Sequence, residues 1–513
     1  MSGWAKHRSA SHSASGCKVA GRLVRPARVL GRLFLVVGML PLLGGSLPGL
    51  EQPAPGLNLS WETIPARADD GALLGTLVWS ALTPSAPVSQ ARPMLVVFNG
   101  GPGAASGWLQ LGLLGPLQVS LPVDNSGAAP PAPVLRVADK GLGAQADILF
   151  VDPLDTGFSR RDPAVAPGRV RSGPADGAYL ARAVAEWLAR HGRRNSPVIL
   201  LGESFGAERA VAVAEHWLNH APRVRLAGIA MVSQTVLSES NLRQTDRLQA
   251  LAMGLPTVAA TACHYGRSTA APRDPLACAD AAAELAQGPY LRALRGGAVP
   301  SGLVDRLARL TGLGRNALRR ASPAIDRQQA RLAMLHSQGL ALGLYDSRRA
   351  ARLDDPRGWR DPSLAPLVSA LGLAMQRYNQ RLLGLARSPV DGTGYVLYNP
   401  EVRRTWGGEG PGSAGGSAGG SADGYALADH LGAVLRRSRA DLLLASGVFD
   451  SVGGYGADRV LADRLALPPG RVSIAAYRAG HMLYLDGASR AAFLLRLSAF
   501  VARVGGASQD TPA

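Results

Sequence analysis

The sequence predicts an α/β protein in which a doubly wound, mostly parallel sheet is interrupted by an inserted, mainly helical cap. Three observations predict it. Short apolar runs bounded by turn residues recur at 94–100 (MLVVFNG), 147–153 (DILFVDP), 198–204 (VILLGES), 227–233 (AGIAMVS), 441–447 (DLLLASG) and 472–477 (VSIAAY). These runs are nearly continuous, without polar alternation, as in strands buried on both faces. Helical patterns at 176–192 and 208–220 separate several of the runs, and strand–helix–strand alternation gives parallel sheets. Between about 235 and 430 the strand signal nearly disappears, and 237–385 is rich in Leu, Ala and Arg at helical spacing.

Taken in order, residues 1–47 read as a signal peptide or N-terminal anchor. Seven basic residues (Lys6, Arg8, Lys18, Arg22, Arg25, Arg28, Arg32) precede the apolar run LFLVVGMLPLL at 33–43. That run fits a signal core of about 7–15 residues and falls short of the ~20 that span a bilayer. Small residues at 44–46 offer a cleavage site, so an exported protein is expected, periplasmic or secreted, or anchored if the segment is uncleaved. The first part of the core occupies 48–235, the helical cap 236–406, a flexible Gly/Ser-rich loop 407–424 and the second part of the core 425–506.

The net charge of +18 is almost entirely arginine, scattered without a dense patch or interleaved aromatics, which argues against nucleic acid as a partner. No later segment reads as membrane-spanning, so no stable membrane partner is expected beyond the N-terminal segment. Cys17 lies in the leader. Cys263 and Cys278 are then the mature cysteines, and an exported protein allows them to pair. With His264 they lack the spacing of a fourth ligand, so neither a metal nor a cofactor is expected.

Ser204 stands in Gly202-Glu203-Ser204-Phe205-Gly206, a G-x-S-x-G pattern between an apolar run and a helical pattern. Such a strand–turn–helix junction presents a nucleophile at the N-terminus of a helix. The same pattern recurs by chance around Ser417 in the Gly-rich loop, where no strand precedes it. A serine hydroxyl needs a base, and the base an orienting acid. In the α/β-hydrolase fold they follow in the order Ser, Asp or Glu, His. Asp450 follows the run at 441–447, with Asp458 and Asp463 as competitors, and His481 follows the run at 472–477. Phe98 to Gly107, FNGGPGAASG, is a Gly-rich turn directly after a strand. Its Gly101 N–H, with that of Phe205, is the expected oxyanion hole.

Together these residues resemble the serine carboxypeptidase family, with its N-G-G-P-G, G-E-S-Y, late Asp and terminal G-H-M. The match covers roughly 90–235 and 440–500, and FVDPLDTGFS at 150–159 resembles a further family segment. The resemblance implies an α/β-hydrolase fold, a triad of Ser204, Asp450 and His481, and a substrate that is a peptide or small acyl compound. It also implies that Asn99 and Glu203 bind the substrate's C-terminal carboxylate, with Glu203 protonated and the activity therefore acid-favoured. The chain departs from the family where Ala104-Ala105-Ser106 replaces C-S-S, where Leu113 stands in place of an acid, and where Asp155 stands in place of a glycine. These departures make it more similar to the bacterial branch. Esterase, aminopeptidase and acyltransferase chemistry share the fold, although proline iminopeptidases begin the G-G-P-G loop with His where this chain has Asn99. A non-catalytic binding protein on the same scaffold is the alternative of a different class.

Overall fold

The computed structural model of the protein describes residues 56–506 except 87, 90, 121–133, 139–140, 221–222, 243–245, 272, 297–298, 321–323, 356–360 and 408–423. The expected leader with Cys17, and the Gly-rich loop with Ser417, lie outside the described residues.

The central sheet is built from β1 (Leu57–Arg67), β2 (Leu73–Pro84), β3 (Met94–Phe98), β4 (Asp147–Phe150), β5 (Val198–Glu203), β6 (Leu226–Val232), β7 (Asp441–Gly447) and β8 (Val472–Tyr477). The order is β1-β2-β4-β3-β5-β6-β7-β8, with the short strand Arg160–Arg161 pairing with β2. β1 and β2 are antiparallel to each other, and β2 is antiparallel to β4; from β4 onward every neighbour is parallel. This is the α/β-hydrolase arrangement. The β1–β2 hairpin was not among the expected strands. Its first strand, LNLSWETIPAR, mixes exposed polar and buried apolar residues, and so lacks the continuous apolar run that marked the others.

Each parallel strand feeds two cores because successive side chains point to opposite faces. Val96, Phe98, Leu200 and Leu444 pack in one core with Leu180 and Trp187 of α1 (Gly173–Arg190) and Val211 and Trp217 of α2 (Phe205–His220). Leu95, Val97, Leu201 and Leu443 pack in the other, against Met375 of the helix 365–382 and Phe493, Leu497 and Phe500 of the C-terminal helix. α1 starts where Ser172 Oγ accepts from Ala175 N, with Pro174 in its first turn, a position where its missing N–H costs nothing.

The chain between β6 and β7 is mostly helical and includes α3 (Arg247–His264), capped by Asp246, and the helix Pro275–Leu285, capped by Asp274. A small hairpin, Leu340–Leu342 with Ala350–Arg352, interrupts the helices. Cys263 and Cys278 are joined by a disulfide, with Cα atoms 6.5 Å apart, tying these two helices together. They share a core of their own, with Leu255, Val258, Leu285 and Leu307 among its members. Among the described residues no helix is long and apolar enough to cross a membrane, and no cluster of His, Cys, Asp or Glu has the makings of a metal site.

Candidate active site

Parallel strands present their C-terminal ends at one edge of the sheet, and the loops there hold the candidate residues. β5 ends at Glu203 and α2 begins at Phe205, so Ser204 alone makes the turn between them. It does so at φ 57°, a left-handed conformation that a non-glycine residue adopts only under constraint. The constraint is visible: Ser204 N donates to Val232 O at 2.9 Å, and Ser204 O accepts from Ala207 N at 2.9 Å. Gly202 is required because a Cβ there would lie 2.2 Å from Gly206 O. The turn leaves the N–H groups of the first turn of α2 facing outward, where the helix dipole favours negative charge.

The loop after β3 folds over this turn. A Cβ at Gly100 would lie 2.6 Å from Phe205 N, so the two backbones approach more closely than any side chain allows. Asp152, from the segment after β4, anchors the loop by accepting from Ser106 N at 2.7 Å and from Ser106 Oγ at 2.6 Å. Burial pushes Asp152 up to about 6, opposed by these hydrogen bonds. Asp155, at φ 64°, is held by ion pairs to Arg171 at 2.8 Å and Arg161 at 3.5 Å. Two arginines thus fix a conformation that a glycine would take freely.

His481 follows β8 and Asp450 follows β7, and both side chains are buried. His481 Nδ1 lies 2.9 Å from Asp450 Oδ2, and Asp450 Oδ1 accepts from Val452 N at 2.7 Å. The carboxyl beside Nδ1 assigns the proton to that nitrogen and leaves Nε2 as the basic atom. His481 is also pinned through its backbone: its N–H donates to Tyr345 O at 2.6 Å, and its carbonyl accepts from Ser233 Oγ at 2.7 Å. Burial lowers the imidazole pKa, but the charge and hydrogen bond of Asp450, together with the charge of Glu203, outweigh it and hold His481 above its ordinary value. Asp458, a competitor for the acid's place, is instead bonded by Gln234 Nε2 at 3.2 Å.

Glu203 is 4 % exposed. Its Oε2 accepts from Asn99 Nδ2 at 2.9 Å and from Tyr484 OH at 2.6 Å. Burial raises it to about 7, opposed by His481 and by these two donors. Tyr484 was not foreseen, although it stands three residues after His481. Its ring occupies space that Gly112 leaves open, since a Cβ at Gly112 would come within 2.3 Å of it. Leu113, next in the chain, packs in the same apolar cluster as Tyr484. The tyrosine hydroxyl is thus a hydrogen-bond donor to Glu203.

Asn99 is positioned from both sides. Its Oδ1 accepts from Leu109 N at 3.1 Å, and its carbonyl accepts from Arg209 Nη1 at 2.5 Å. Arg209, fully buried, also pairs with Asp176 at 2.5 Å, and Tyr179 OH donates to Asp176 at 2.7 Å. Arg209→Met is expected to destabilise the fold by about 3–5 kcal/mol in denaturant titration, because it strands the buried Asp176 charge. A loss below 1 kcal/mol would show that Asp176 finds other compensation.

Asn99, Gly101, Glu203, Ser204, Phe205 and His481 line a single cavity of about 350 Å³, and Asp450 reaches it through His481. The disulfide between Cys263 and Cys278 lies away from that lining.

The serine carboxypeptidase family profile matches residues 78–257, which include the glycine loop and the Ser204 turn. Over that segment the chain is similar to serine carboxypeptidases. Asp450 and His481 lie beyond the matched segment. No curated protein sequence matches the chain. Solved structures similar to it include Kex1(delta)p, a prohormone-processing carboxypeptidase from Saccharomyces cerevisiae, at 14% identity and TM-score 0.48, covering 87% of this chain and 91% of that one. Proline iminopeptidase from Mycobacterium smegmatis is 13% identical with TM-score 0.41, covering 88% and 100%. A thermophilic esterase from Thermogutta terrifontis is 13% identical with TM-score 0.35, covering 87% and 99%.

Proposed function

We propose that this hydrolase is an exported serine carboxypeptidase that releases C-terminal residues from peptides through an acyl-enzyme. The observation that carries the reading is Glu203, a buried carboxyl raised to about 7 and bonded to Asn99, lining the same cavity as Ser204 and His481. A carboxyl that holds its proton donates a hydrogen bond to a substrate carboxylate, and the Asn99 amide donates a second.

In the reaction, His481 Nε2 takes the proton of Ser204 Oγ as the oxygen bonds to the carbonyl carbon of the last peptide bond. The N–H groups of Gly101 and Phe205 stabilise the oxyanion. The C–N bond then breaks, His481 returns the proton to the leaving amine, and water, deprotonated by His481, releases the acyl group. Asp450 orients the imidazole and stabilises its charged form.

Hydrolysis of blocked dipeptides with free and amidated C-termini across pH 4–8 tests the reading. Faster cleavage of the free acid is expected, declining as pH rises through about 7, where Glu203 loses its proton. Equal rates on acid and amide at every pH would reject a carboxypeptidase and leave an esterase or acyltransferase. Glu203→Gln is expected to flatten the alkaline decline, because an amide donates without protonation. An unchanged profile in the variant would remove Glu203 from carboxylate binding.

A further inference from the structure

Glu208 is a buried carboxyl lining the same cavity that the proposed reaction does not use. It lies in the first turn of α2, and both it and Ser204 line the cavity. Thr235 Oγ1 donates to Glu208 Oε1 at 2.7 Å, and the Asn241 side chain is a second hydrogen-bond partner. Burial pushes Glu208 up to about 7, opposed by these two groups and by the charge of Arg209. Among the described residues Glu208 forms no ion pair, and Arg209, whose charge acts on it, is engaged by Asp176 and the Asn99 carbonyl.

The two carboxyls of the cavity have separate surroundings. Glu203 is bonded by Asn99 and Tyr484, Glu208 by Thr235 and Asn241, and they flank Ser204 in the chain. If the leaving residue's carboxylate sits at Asn99 and Glu203, the wall of Glu208, Thr235, Ser238 and Asn241 is left for the acyl portion. Arg403, the cation that lines the cavity, donates to Gly101 O at 3.1 Å, on the loop over the turn. A cationic side chain at Glu208 would find a desolvated acceptor already held in place by two hydrogen bonds, the setting in which charge-assisted bonds are strongest.

We propose that Glu208, with Thr235 and Asn241, binds a cationic side chain on the acyl side of the scissile bond, so that the enzyme selects peptides whose penultimate residue is lysine or arginine. This rests on the carboxypeptidase reading for its orientation. The test compares kcat/KM for blocked Lys-Phe with blocked norleucine-Phe at pH 7, in the parent protein and in Glu208→Gln. The parent is expected to favour lysine by about tenfold or more, and the variant by a ratio near one. Offering the same pair as C-terminal amides separates the two readings: loss of the free-acid preference counts against the carboxypeptidase, whereas the lysine ratio reports Glu208 on either series. A parent ratio at or below one overturns the proposal, as does a high ratio that Glu208→Gln leaves unchanged. Fluorophosphonate labelling reports whether the variant retains its site. Should it fail to label, Thr235→Val decides: a several-fold drop in the lysine ratio supports the assignment, and an unaltered ratio overturns it.

Discussion

Ser204→Ala is expected to lower kcat on a blocked dipeptide by about 10⁶-fold, the scale of loss when a triad nucleophile is removed. The magnitude follows from the arrangement at the turn. Ser204 sits alone between β5 and α2 at φ 57°, so no neighbouring hydroxyl can take its place without rebuilding the strand–helix junction. Alanine fits the same backbone at a similar conformational cost, so stability should change little while turnover is lost. The residual rate should still exceed the uncatalysed reaction, because the proposed oxyanion donors, the N–H groups of Gly101 and Phe205, and the proposed carboxylate contacts are untouched. Stopped assays with purified variant and parent measure this; a loss of less than tenfold would assign the nucleophile elsewhere.

The second large effect is expected at the acid. Asp450→Asn should lower kcat by about 10⁴-fold with little change in KM. The carboxyl oxygen 2.9 Å from His481 Nδ1 holds the imidazole in the tautomer that leaves Nε2 basic. An asparagine amide in the same place can donate to Nδ1 and so stabilise the opposite tautomer, with the proton on Nε2, where Ser204 needs a base. The charge of Asp450 also raises His481 above its ordinary value, so the variant's acid limb should move to lower pH as turnover falls. Steady-state rates across pH 4–8 check both; a variant within tenfold of the parent would mean that Asp450 does not orient His481 during the reaction.

The parallel strands were legible because burial on both faces demands unbroken apolar runs, and those at 441–447 and 472–477 coincide with β7 and β8 residue for residue. β1 was not, since a strand with one exposed face, carrying Glu62 and Pro65, offers no such run. Within the site, residues belonging to short motifs were visible: Asn99, Gly101, Glu203, Ser204, Phe205 and His481 all line one cavity. Partners that depend on tertiary contact were not. Tyr484 meets Glu203 across 281 residues of sequence, and its approach depends on the missing side chain of Gly112. Thr235 reaches Glu208 across a strand and a helix, and nothing in either local pattern announces the meeting. Leu113, read alone, suggests a weakened carboxylate site, whereas Glu203 accepts from the Tyr484 hydroxyl.

The most direct test of the account is to map where a fluorophosphonate attaches to the native protein. Proteolysis and tandem mass spectrometry of the labelled chain should find a single adduct, on Ser204, and a free-carboxylate dipeptide should slow its formation below pH 7. An adduct on another serine, or none at a reagent concentration that labels serine hydrolases, would contradict it.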